Sequence, residues 1–280
     1  MYYILYNPLS NGGTCIEKAK ELEERFTTER KEFISESLLD IDNVPKFINN
    51  LKDEDVIIIV GGDGTLYHIA NEIHDVNIKN KVILLAKAGT GNDFYRDVKD
   101  EEEDGFIRID QYLSNTPTVE FFRNLNHFNN SSGMGVDGDI CNRVNISKKK
   151  SALHYLLNCI KAVFSFEKFT LTANVDGEEH TFEKTWFAVV MQGKYFGGGM
   201  KVAPDQDRKS DELTLVVAHN VGILKLLFIL PKIYSGKHVK HTKYVKIFKC
   251  KNVELNASNP QFIEIDGDIV PNVEKIIVKK

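Results

Sequence analysis

The segment VIIIVGGDGTLYHIANEI, Val56 to Ile73, constrains the fold more than any other, because a continuous branched apolar run stops abruptly at glycines and one carboxylate. Apolar runs without alternation are typical of parallel strands that are covered on both faces. The residues that follow place Leu66, Ile69 and Ile73 at helical spacing. The segment therefore predicts a buried strand, a tight glycine turn and a helix that starts at once.

The first 115 or so residues repeat this alternation of strand and helix. YYILYN near the N-terminus and KVILLA from Lys81 read as further buried strands, and Ile16, Ala19, Leu22 and Phe26 mark a helix between them. The pattern predicts a Rossmann-like α/β domain over residues 1–117. Residues 118–280 are instead rich in short β-branched and aromatic segments, which predicts a β-sandwich-rich domain. The domain prediction also allows the last C-terminal residues to pack with the first domain.

Composition excludes several classes of protein. The chain has 280 residues with 36 basic and 40 acidic side chains and a formal net charge of −4, so a broadly basic nucleic-acid surface has no support and we expect no nucleic-acid partner. Its four cysteines form no CxxC pair, which argues against a zinc knuckle. The N-terminus lacks a basic leader, and the apolar run from Ile223 to Pro231 is too short to span a bilayer. We therefore expect a cytoplasmic protein without a transmembrane helix.

Three loops rich in glycine and short polar residues each follow one predicted strand: NPLSNGG, GGDGT and KAGTGND. Parallel strands place such loops together at one edge of the sheet, where open α/β folds bind ligands. Glycines let backbone amides approach an anion, and Ser10, Thr65 and Thr90 add hydroxyl donors. A single glycine turn is most often ordinary loop chemistry, but three in register indicate a bound nucleotide phosphate.

Asp63 makes this loop set more specific. A carboxylate beside a phosphate cradle would repel the ligand unless a cation intervenes, so Asp63 indicates Mg²⁺ held with a polyphosphate, or a role in proton handling. The alternative is that Asp63 caps the helix that follows, since aspartate is a favoured N-cap residue.

Taken together, these motifs resemble the diacylglycerol kinase catalytic-domain family, which includes bacterial soluble lipid kinases and is distantly related to NAD kinases. NPLSNGG, GGDGT and GTGNDFYR carry the resemblance in the first half, and GMGVDG, GGGMKVAP and DGD carry it in the second. It implies an ATP-dependent kinase that phosphorylates a lipid hydroxyl, with the nucleotide in an interdomain cleft. The residues implied on the nucleotide side are Asn7, Ser10, Gly13, Gly61, Gly62, Asp63, Gly64, Thr65, Gly89, Thr90 and Asn92.

The resemblance also assigns residues in the second half. Asp268 stands where similar kinases have a glutamate thought to act as general base, although the Asp266–Asp268 segment alone would equally suit a type I′ hairpin turn. The segment SDELT replaces the usual DGxLD of a structural Mg²⁺ site, which leaves Asp211 and the Leu213 carbonyl as its expected ligands.

A lipid kinase must reach the bilayer, and GILKLLFILPKIYSGKHVKHTK combines an apolar helix with lysines that suit an anionic membrane surface. The alternative is that this helix is a lid on the core, which is the more common role of an apolar helix in a β-rich domain. The sequence thus predicts a kinase using ATP and Mg²⁺ on a lipid, with diacylglycerol first among the acceptors, that associates peripherally with membranes; a homodimer is compatible with it. Two alternatives stay open: an NAD kinase-like enzyme with a soluble substrate, and a catalytically weakened lipid or nucleotide sensor. Phosphorylation of NAD without any lipid would favour the first, and ATP binding without transfer would favour the second.

Overall fold

The computed structural model describes residues 1–89, 91–146 and 161–280. These residues form two compact units. Unit 1 comprises Met1–Thr116 together with Gly197–Gly199, and unit 2 comprises Pro117–Phe196 and Met200–Lys280. The chain thus passes from unit 1 to unit 2 at the weak turn signal formed by Asn115, Thr116 and Pro117.

Unit 1 alternates strands and helices. Its strands are β1 (Tyr2–Tyr6), β2 (Phe33–Ser37), β3 (Val56–Gly61), β4 (Val82–Lys87) and β5 (Ile107–Arg108), and its helices are α1 (Thr14–Thr28), α2 (Val44–Asn50), α3 (Asp63–Ile73), α4 (Asp93–Val98) and α5 (Asp110–Leu113). The strands form one sheet in the order β2-β1-β3-β4-β5, parallel except for the antiparallel edge strand β5.

The unit 1 sheet is covered on both faces, as its continuous apolar strands predict. Successive residues of β3 alternate between two cores, with Ile57 and Ile59 in one and Ile58 and Val60 in the other. Helix α1 packs on the second of these faces through Cys15, Ala19, Leu22 and Phe26. Because both faces of the strand are buried, no polar alternation is available, and β3 reads as an uninterrupted apolar run.

Unit 2 is mostly strand. Its strands are β6 (Thr118–Phe121), β7 (Asn124–His127), β8 (Ser131–Gly135), β9 (Phe169–Val175), β10 (Glu178–Met191), β11 (Leu213–His219), β12 (Val245–Cys250), β13 (Asn252–Ile265) and β14 (Asp268–Lys279). Helix α6 (Val136–Ile146) follows β8, and the short helix α7 (Ile223–Ile229) follows β11. A 3₁₀ segment, Leu230–Ser235, continues α7.

The strands of unit 2 form one nine-stranded antiparallel sheet in the order β12-β11-β10-β8-β13-β14-β6-β7, with β9 pairing β10 and β13. Strand β8 lies between β10 and β13, and its glycines permit that close pairing. A Cβ on Gly135, whose φ is +131°, would lie 2.4 Å from the Trp186 carbonyl oxygen. The GMG of the sequence motif therefore serves strand packing in the centre of this sheet.

The predicted fold class, an α/β unit followed by a β-rich unit, is confirmed. The C-terminal strand β14 does not return to unit 1, because it pairs with β13 and β6 within unit 2. The sequence also predicts a helix from Ala152 to Phe166, a segment that lies largely outside the described residues. Among the residues that are described, no helix is long and apolar enough to cross a membrane.

Candidate functional site

Three parallel strands of unit 1 end level with one another. Tyr6 lies opposite Val60, and Val60 lies opposite Ala86, so the loops after β1, β3 and β4 start at the same carboxyl edge. Strand order reverses at β1, whose neighbours are β2 and β3, and ligands of open α/β sheets bind at such a reversal. The convergence inferred from the sequence is therefore a property of the strand register.

The first loop is shaped by Asn7. Its side-chain oxygen accepts a hydrogen bond from the Leu9 amide at 3.0 Å, and its carbonyl accepts one from the Ser10 amide at 3.1 Å. This turn brings the Ser10 hydroxyl within 3.0 Å of the Thr65 hydroxyl in the next loop. Gly13 then caps α1 with φ +100°, a conformation that favours glycine.

The second and third loops pack against each other through glycines. The Gly61 carbonyl accepts the Ala88 amide at 3.1 Å. A Cβ on Gly62 would lie 3.1 Å from the Ala88 carbonyl oxygen, and one on Gly89 would lie 3.0 Å from the Gly62 Cα. Both positions therefore need glycine for packing alone.

Gly64 differs from these glycines. It is exposed, and a Cβ placed there would meet no atom within 4 Å. Nothing in the packing of unit 1 requires glycine at this position. A glycine in the first turn of α3 that faces open space is instead what an anion needs to approach the backbone amides of a helix N-terminus.

Asp63 joins the second loop to the third. One carboxylate oxygen accepts the Asp93 amide at 3.0 Å, and the other accepts the Phe94 amide at 2.9 Å. Asp63 therefore does cap a helix, but that helix is α4, thirty residues further along the chain, and not its own helix α3. The alternative drawn from the sequence, that Asp63 caps a helix, therefore names the right role but the wrong helix, α3 instead of α4.

Asp93 is a buried acid beside Asp63 that the sequence analysis did not single out, although it lies in the GTGNDFYR motif. Its carboxylate accepts the Arg96 guanidinium at 2.5 Å and the Gly198 amide at 2.7 Å. Burial raises the pKa of Asp93, the Gly198 amide opposes that effect, and the charge of Asp63 raises the pKa further. Through Gly198, the GGG of the second half of the sequence belongs to the loop network of unit 1.

Asn92 completes the third loop. It adopts φ +50° at the start of α4, and its side-chain amide donates to the Gly89 carbonyl at 2.5 Å. The predicted nucleotide residues Asn7, Ser10, Gly13, Gly61, Gly62, Gly64, Thr65, Gly89 and Asn92 all lie in these three loops with Asp63. Thr90 lies outside the described residues.

Unit 2 carries a second group of acids around the turn between β13 and β14. Asp266 and Gly267 have φ of +48° and +99°, and Ile265 pairs with Asp268 across them. Positive φ at both central residues is the mark of a type I′ turn, so the hairpin reading of this segment holds. Asp268, the first residue after the turn, is exposed.

Asp266 ties this turn to the start of β8. Its two carboxylate oxygens accept the backbone amides of Asn129, Asn130 and Ser131 at 2.5, 2.8 and 3.0 Å. The Asp266 amide in turn donates to the Ser131 carbonyl at 3.0 Å. The turn that presents Asp268 is therefore held by a carboxylate that bridges two segments.

Glu264 lies beneath the turn and is fully buried. It accepts the Gly267 amide at 2.6 Å and the Ser131 hydroxyl at 3.3 Å. Burial raises its pKa well above the ordinary value, and the negative charges of Asp137 and Asp266 add to that effect. The Gly267 contact makes Glu264 a second support of the turn, which the sequence analysis did not identify.

Asp137, in the first turn of α6, has a carboxylate whose two oxygens are buried. Neither of its carboxylate oxygens has a hydrogen-bond partner among the described residues. Burial raises the pKa of Asp137 to about 6, against a smaller opposing effect of its own amide and that of Gly138. Unit 2 thus holds a buried carboxyl that carries an energetic cost when it ionises.

The residues expected at a structural metal site, Asp211 and Leu213, lie just before and at the start of β11. Asp211 is exposed, and Leu213 begins β11, where its carbonyl accepts the Cys250 thiol at 3.7 Å. The Lys280 amine is close enough to Asp211 for the carboxylate to raise the lysine pKa, although burial lowers that pKa more strongly. Among the described residues, no three acidic, histidine or cysteine side chains cluster as metal ligands. The assignment of Asp211 and Leu213 stays a prediction, and we derive no step from it.

Both units match known protein families. Residues 1–117 match the family model for the diacylglycerol kinase catalytic domain, and residues 130–277 match that for the YegS C-terminal NAD kinase beta sandwich-like domain. A Bacillus subtilis protein named "Putative lipid kinase YtlR" is 26% identical over 291 residues, covering 96% of this chain and 93% of the relative. A Bacillus subtilis protein named "Diacylglycerol kinase" is 23% identical over 223 residues, covering 78% of this chain and 72% of the relative.

Solved structures support the same fold. A diacylglycerol kinase from Bacillus anthracis str. Sterne superimposes with a TM-score of 0.63 at 16% identity, over 100% of this chain and 93% of the other. Yeast NADH kinase complexed with NADH reaches 0.50 at 11% identity, over 99% and 79%. At such identities these structures show the fold, whereas the two family models together span nearly the whole chain. The chain therefore belongs to the lipid kinase family that joins a diacylglycerol kinase catalytic domain to a YegS-type C-terminal domain.

Proposed function

We propose that this kinase transfers the γ-phosphate of MgATP to a lipid hydroxyl and that diacylglycerol is its acceptor. The observation that carries the nucleotide half of the proposal is Gly64, exposed in the first turn of α3 with open space where a side chain would be. The first amides of a helix have no acceptor within the helix itself. The acceptor rests on family membership, since two relatives bear the names of a lipid kinase and a diacylglycerol kinase.

The three loops of unit 1 have the donors that a polyphosphate requires. Amides of Gly62, Gly64 and Thr65 start helix α3, where the helix dipole favours an anion. The hydroxyls of Ser10 and Thr65 lie 3.0 Å apart at the same edge. We assign the shaping of these loops around the nucleotide to Asn7, Gly13, Gly61, Gly89 and Asn92. Thr90 remains a nucleotide-binding residue expected from the sequence alone.

Mg²⁺ is assigned to Asp63. Each carboxylate oxygen of Asp63 accepts an amide hydrogen bond, and carboxylate oxygens are the kind of ligand that Mg²⁺ takes in proteins. A phosphate-bound Mg²⁺ usually takes only one or two protein carboxylates, so a single acid fits this ion. When bound, the ion would neutralise charge that builds up on the transferred phosphoryl group.

The general base is assigned to Asp268. Its side chain is exposed at the end of a turn that Asp266 and Glu264 hold in place, so it is free to accept a proton from an incoming hydroxyl. General base catalysis by a placed side chain contributes about 10²- to 10⁴-fold to a rate. We further propose that the enzyme works from the cytoplasm on lipid presented at a membrane surface.

The test is transfer of labelled phosphate from MgATP into chloroform-extractable product, using mixed micelles that contain diacylglycerol. Wild type should label the organic phase, and Asp268→Asn should lower the rate by at least about 100-fold. Because Asp268 is exposed, this variant should keep the wild-type melting temperature and ATP affinity. Asp205→Asn, an exposed aspartate elsewhere in unit 2, serves as the matched control and should transfer at the wild-type rate.

Other outcomes would replace the proposal. Label in NADP and none in any lipid would make the protein a soluble-substrate kinase, in agreement with its structural likeness to NADH kinase. ATP binding without transfer to a panel of lipids would make it a sensor. Full activity of Asp268→Asn would leave the lipid kinase proposal intact and would show that Asp268 is not the general base.

A further inference from the structure

Helix α7 has apolar residues on two faces, and only one face is buried. Leu226 and Ile229 point into the core formed with Trp186 and Ala218. On the outer side Leu224, Leu227 and Phe228, at the i, i+3 and i+4 positions that share a helix face, are 85%, 38% and 57% exposed. The 3₁₀ segment that follows adds Tyr234 at 61% exposure.

The outer face is not needed to stabilise unit 2. The cavity beneath α7, lined by apolar side chains that include Phe187, Leu226 and Ile233, has a volume of about 20 Å³. That is room for one water molecule and not for an acyl chain. The inner face of α7 is therefore already packed, and the outer leucines and phenylalanine are surplus to the core.

The segment that carries this face has charged side chains of a single sign. The sequence from Leu213 to Val253 contains no aspartate or glutamate, in a chain that has 40 acidic residues. The same stretch contains Lys225, Lys232, Lys237, Lys240, Lys243, Lys246, Lys249 and Lys251. Two of these amines lie over the exposed Phe228 ring, Lys232 at 3.9 Å and Lys225 at 5.1 Å from its centroid.

Exposed aliphatic and aromatic side chains on a lysine-rich segment match the two layers of an anionic bilayer surface. Apolar side chains enter the boundary between headgroups and acyl chains, while lysines remain at the level of the lipid phosphates. A second copy of this chain fits less well, because a two-fold interface on this face would bring lysines against lysines.

We propose that the outer face of α7 (Leu224, Leu227 and Phe228), extended by Tyr234 and flanked by Lys225, Lys237, Lys240 and Lys243, docks the protein onto an anionic lipid surface. This extends the proposed function by naming the surface that meets the membrane. The docking requires no nucleotide and no acceptor, so its failure and the failure of lipid phosphorylation are separate results.

The first experiment is cosedimentation with vesicles of phosphatidylcholine alone or with 30% phosphatidylglycerol, without ATP. Wild type should bind the anionic vesicles at least about tenfold more tightly, and binding should weaken with salt. Leu224→Ser with Phe228→Ser should lower the affinity at least about tenfold. The matched control is Phe122→Ser with Leu125→Ser, which removes apolar residues that are 61% and 58% exposed elsewhere in unit 2 and should leave binding unchanged.

The charged flank is tested by Lys237→Glu with Lys240→Glu, which should reduce binding to anionic vesicles and not to neutral ones. A lysine near such a surface is worth about a fivefold change in affinity. Wild-type vesicle binding by the Leu224/Phe228 variant would overturn the proposal, as would an equal loss in the Phe122/Leu125 control. Formation of a dimer that only the Leu224/Phe228 variant loses, without vesicle binding by wild type, would assign the face to a second copy instead.

A final measurement ties docking to catalysis. With diacylglycerol in anionic vesicles, the Leu224/Phe228 variant should lose rate in proportion to its lost binding. With a short-chain acceptor in free solution it should keep the wild-type rate, because α7 contributes no residue to the loops or to the turn of Asp268. Loss of both rates would contradict a pure docking role.

Discussion

The loops of unit 1 and the turn of unit 2 use the same device, a carboxylate that accepts backbone amides from a distant segment. Asp63 accepts two amides at the start of α4, and Asp266 accepts three at the start of β8. In both cases the donors belong to buried residues, which include Phe94 and Ser131. Each motif is thus held in shape by an aspartate, and the sequence analysis assigned chemistry to only one of the two, Asp63.

The two regions differ in what surrounds the bridging acid. Beside Asp63, Asp93 is matched by Arg96, whereas beneath Asp266 lie Glu264 and Asp137, and Asp137 has no hydrogen-bond partner among the described residues. Unit 1 therefore gathers backbone amides and hydroxyls at one edge of its sheet, which suits an anionic ligand. Unit 2 instead buries two carboxyl groups whose raised pKa values favour their neutral forms.

Removal of the bridging acids should have the largest effect. Asp266→Ala leaves three buried amides without an acceptor and should lower the free energy of unfolding by about 4 kcal/mol, whereas Asp63→Ala leaves two and should cost about 3 kcal/mol. The chain has a single tryptophan, Trp186, buried in unit 2, so urea unfolding followed by its fluorescence reports the first variant. Circular dichroism reports the second.

The asparagine variants sharpen this comparison. Asp63→Asn and Asp266→Asn keep one acceptor oxygen and should recover about half of the loss, and asparagine tolerates the positive φ of position 266. Asp266→Asn should recover more, because it also removes a charge that raises the pKa of Glu264. Equal losses for alanine and asparagine at both sites would contradict the bridging role.

The buried acid of unit 2 should make stability depend on pH. The pKa of Asp137 is about 6 in the folded protein and near 3.8 when unfolded, so its ionisation opposes folding increasingly between pH 4 and 6 and fully above pH 6. Asp137→Asn should therefore raise the free energy of unfolding by about 2 to 3 kcal/mol at pH 8 and change it little at pH 4.

Trp186 fluorescence in urea, measured from pH 4 to pH 8, checks this dependence. Glu264 and Asp266 are the charged groups that act on this acid cluster, and the rise of the Glu264 pKa has the same sign, so Glu264→Gln should add to the effect at high pH. Asp205→Asn, at an exposed position, should shift stability by less than about 0.5 kcal/mol at every pH. A gain from Asp137→Asn that is independent of pH would refute the assigned cause.

The sequence reveals periodicity and local motifs, and these were enough for the α/β unit and its three loops. Runs such as VIIIV and the repeat of Leu66, Ile69 and Ile73 record burial directly, so β3 and α3 were predicted close to their true bounds. The edge strand β2 was missed because FISES is half polar, and β14 was missed because its apolar residues alternate with charged ones.

Contacts that join distant segments could not be read from the sequence. Asp63 looks like the cap of the helix that follows it, and only the register of β3 and β4 brings it to α4 instead. Glu264 and Asp137 lie more than 100 residues apart and become a pair only when β13 pairs with β8. A charged residue at an otherwise apolar inward position of a strand was the available signal for Glu264.

Alanine substitutions at two glycines of the same loop should distinguish a glycine needed for packing from one needed for the approach of a ligand. Gly62→Ala forces a Cβ against the Ala88 carbonyl and should destabilise unit 1 by about 1 to 2 kcal/mol. At Gly64, in the first turn of α3, an alanine side chain would point into open space, so Gly64→Ala should leave the free energy of unfolding unchanged or raise it by about 0.5 kcal/mol. The same substitution should weaken ATP binding. Melting curves and calorimetric titration with a non-hydrolysable ATP analogue measure the two effects. Unchanged ATP affinity in Gly64→Ala would show that the phosphate does not bind at the first turn of α3.

The smallest effect should come from the hydroxyl bridge between the first two loops of unit 1, where Ser10 and Thr65 lie 3.0 Å apart. A neutral hydrogen bond contributes about 1 kcal/mol, less than a carboxylate that accepts several amides. A double-mutant cycle with Ser10→Ala and Thr65→Val should give a coupling energy of about 0.5 to 1 kcal/mol in urea unfolding. Because both hydroxyls are also assigned to phosphate, coupling in ATP affinity should exceed coupling in stability. The reverse order would mean that the bridge serves the fold first, and that the ligand-facing donors of unit 1 are its backbone amides alone.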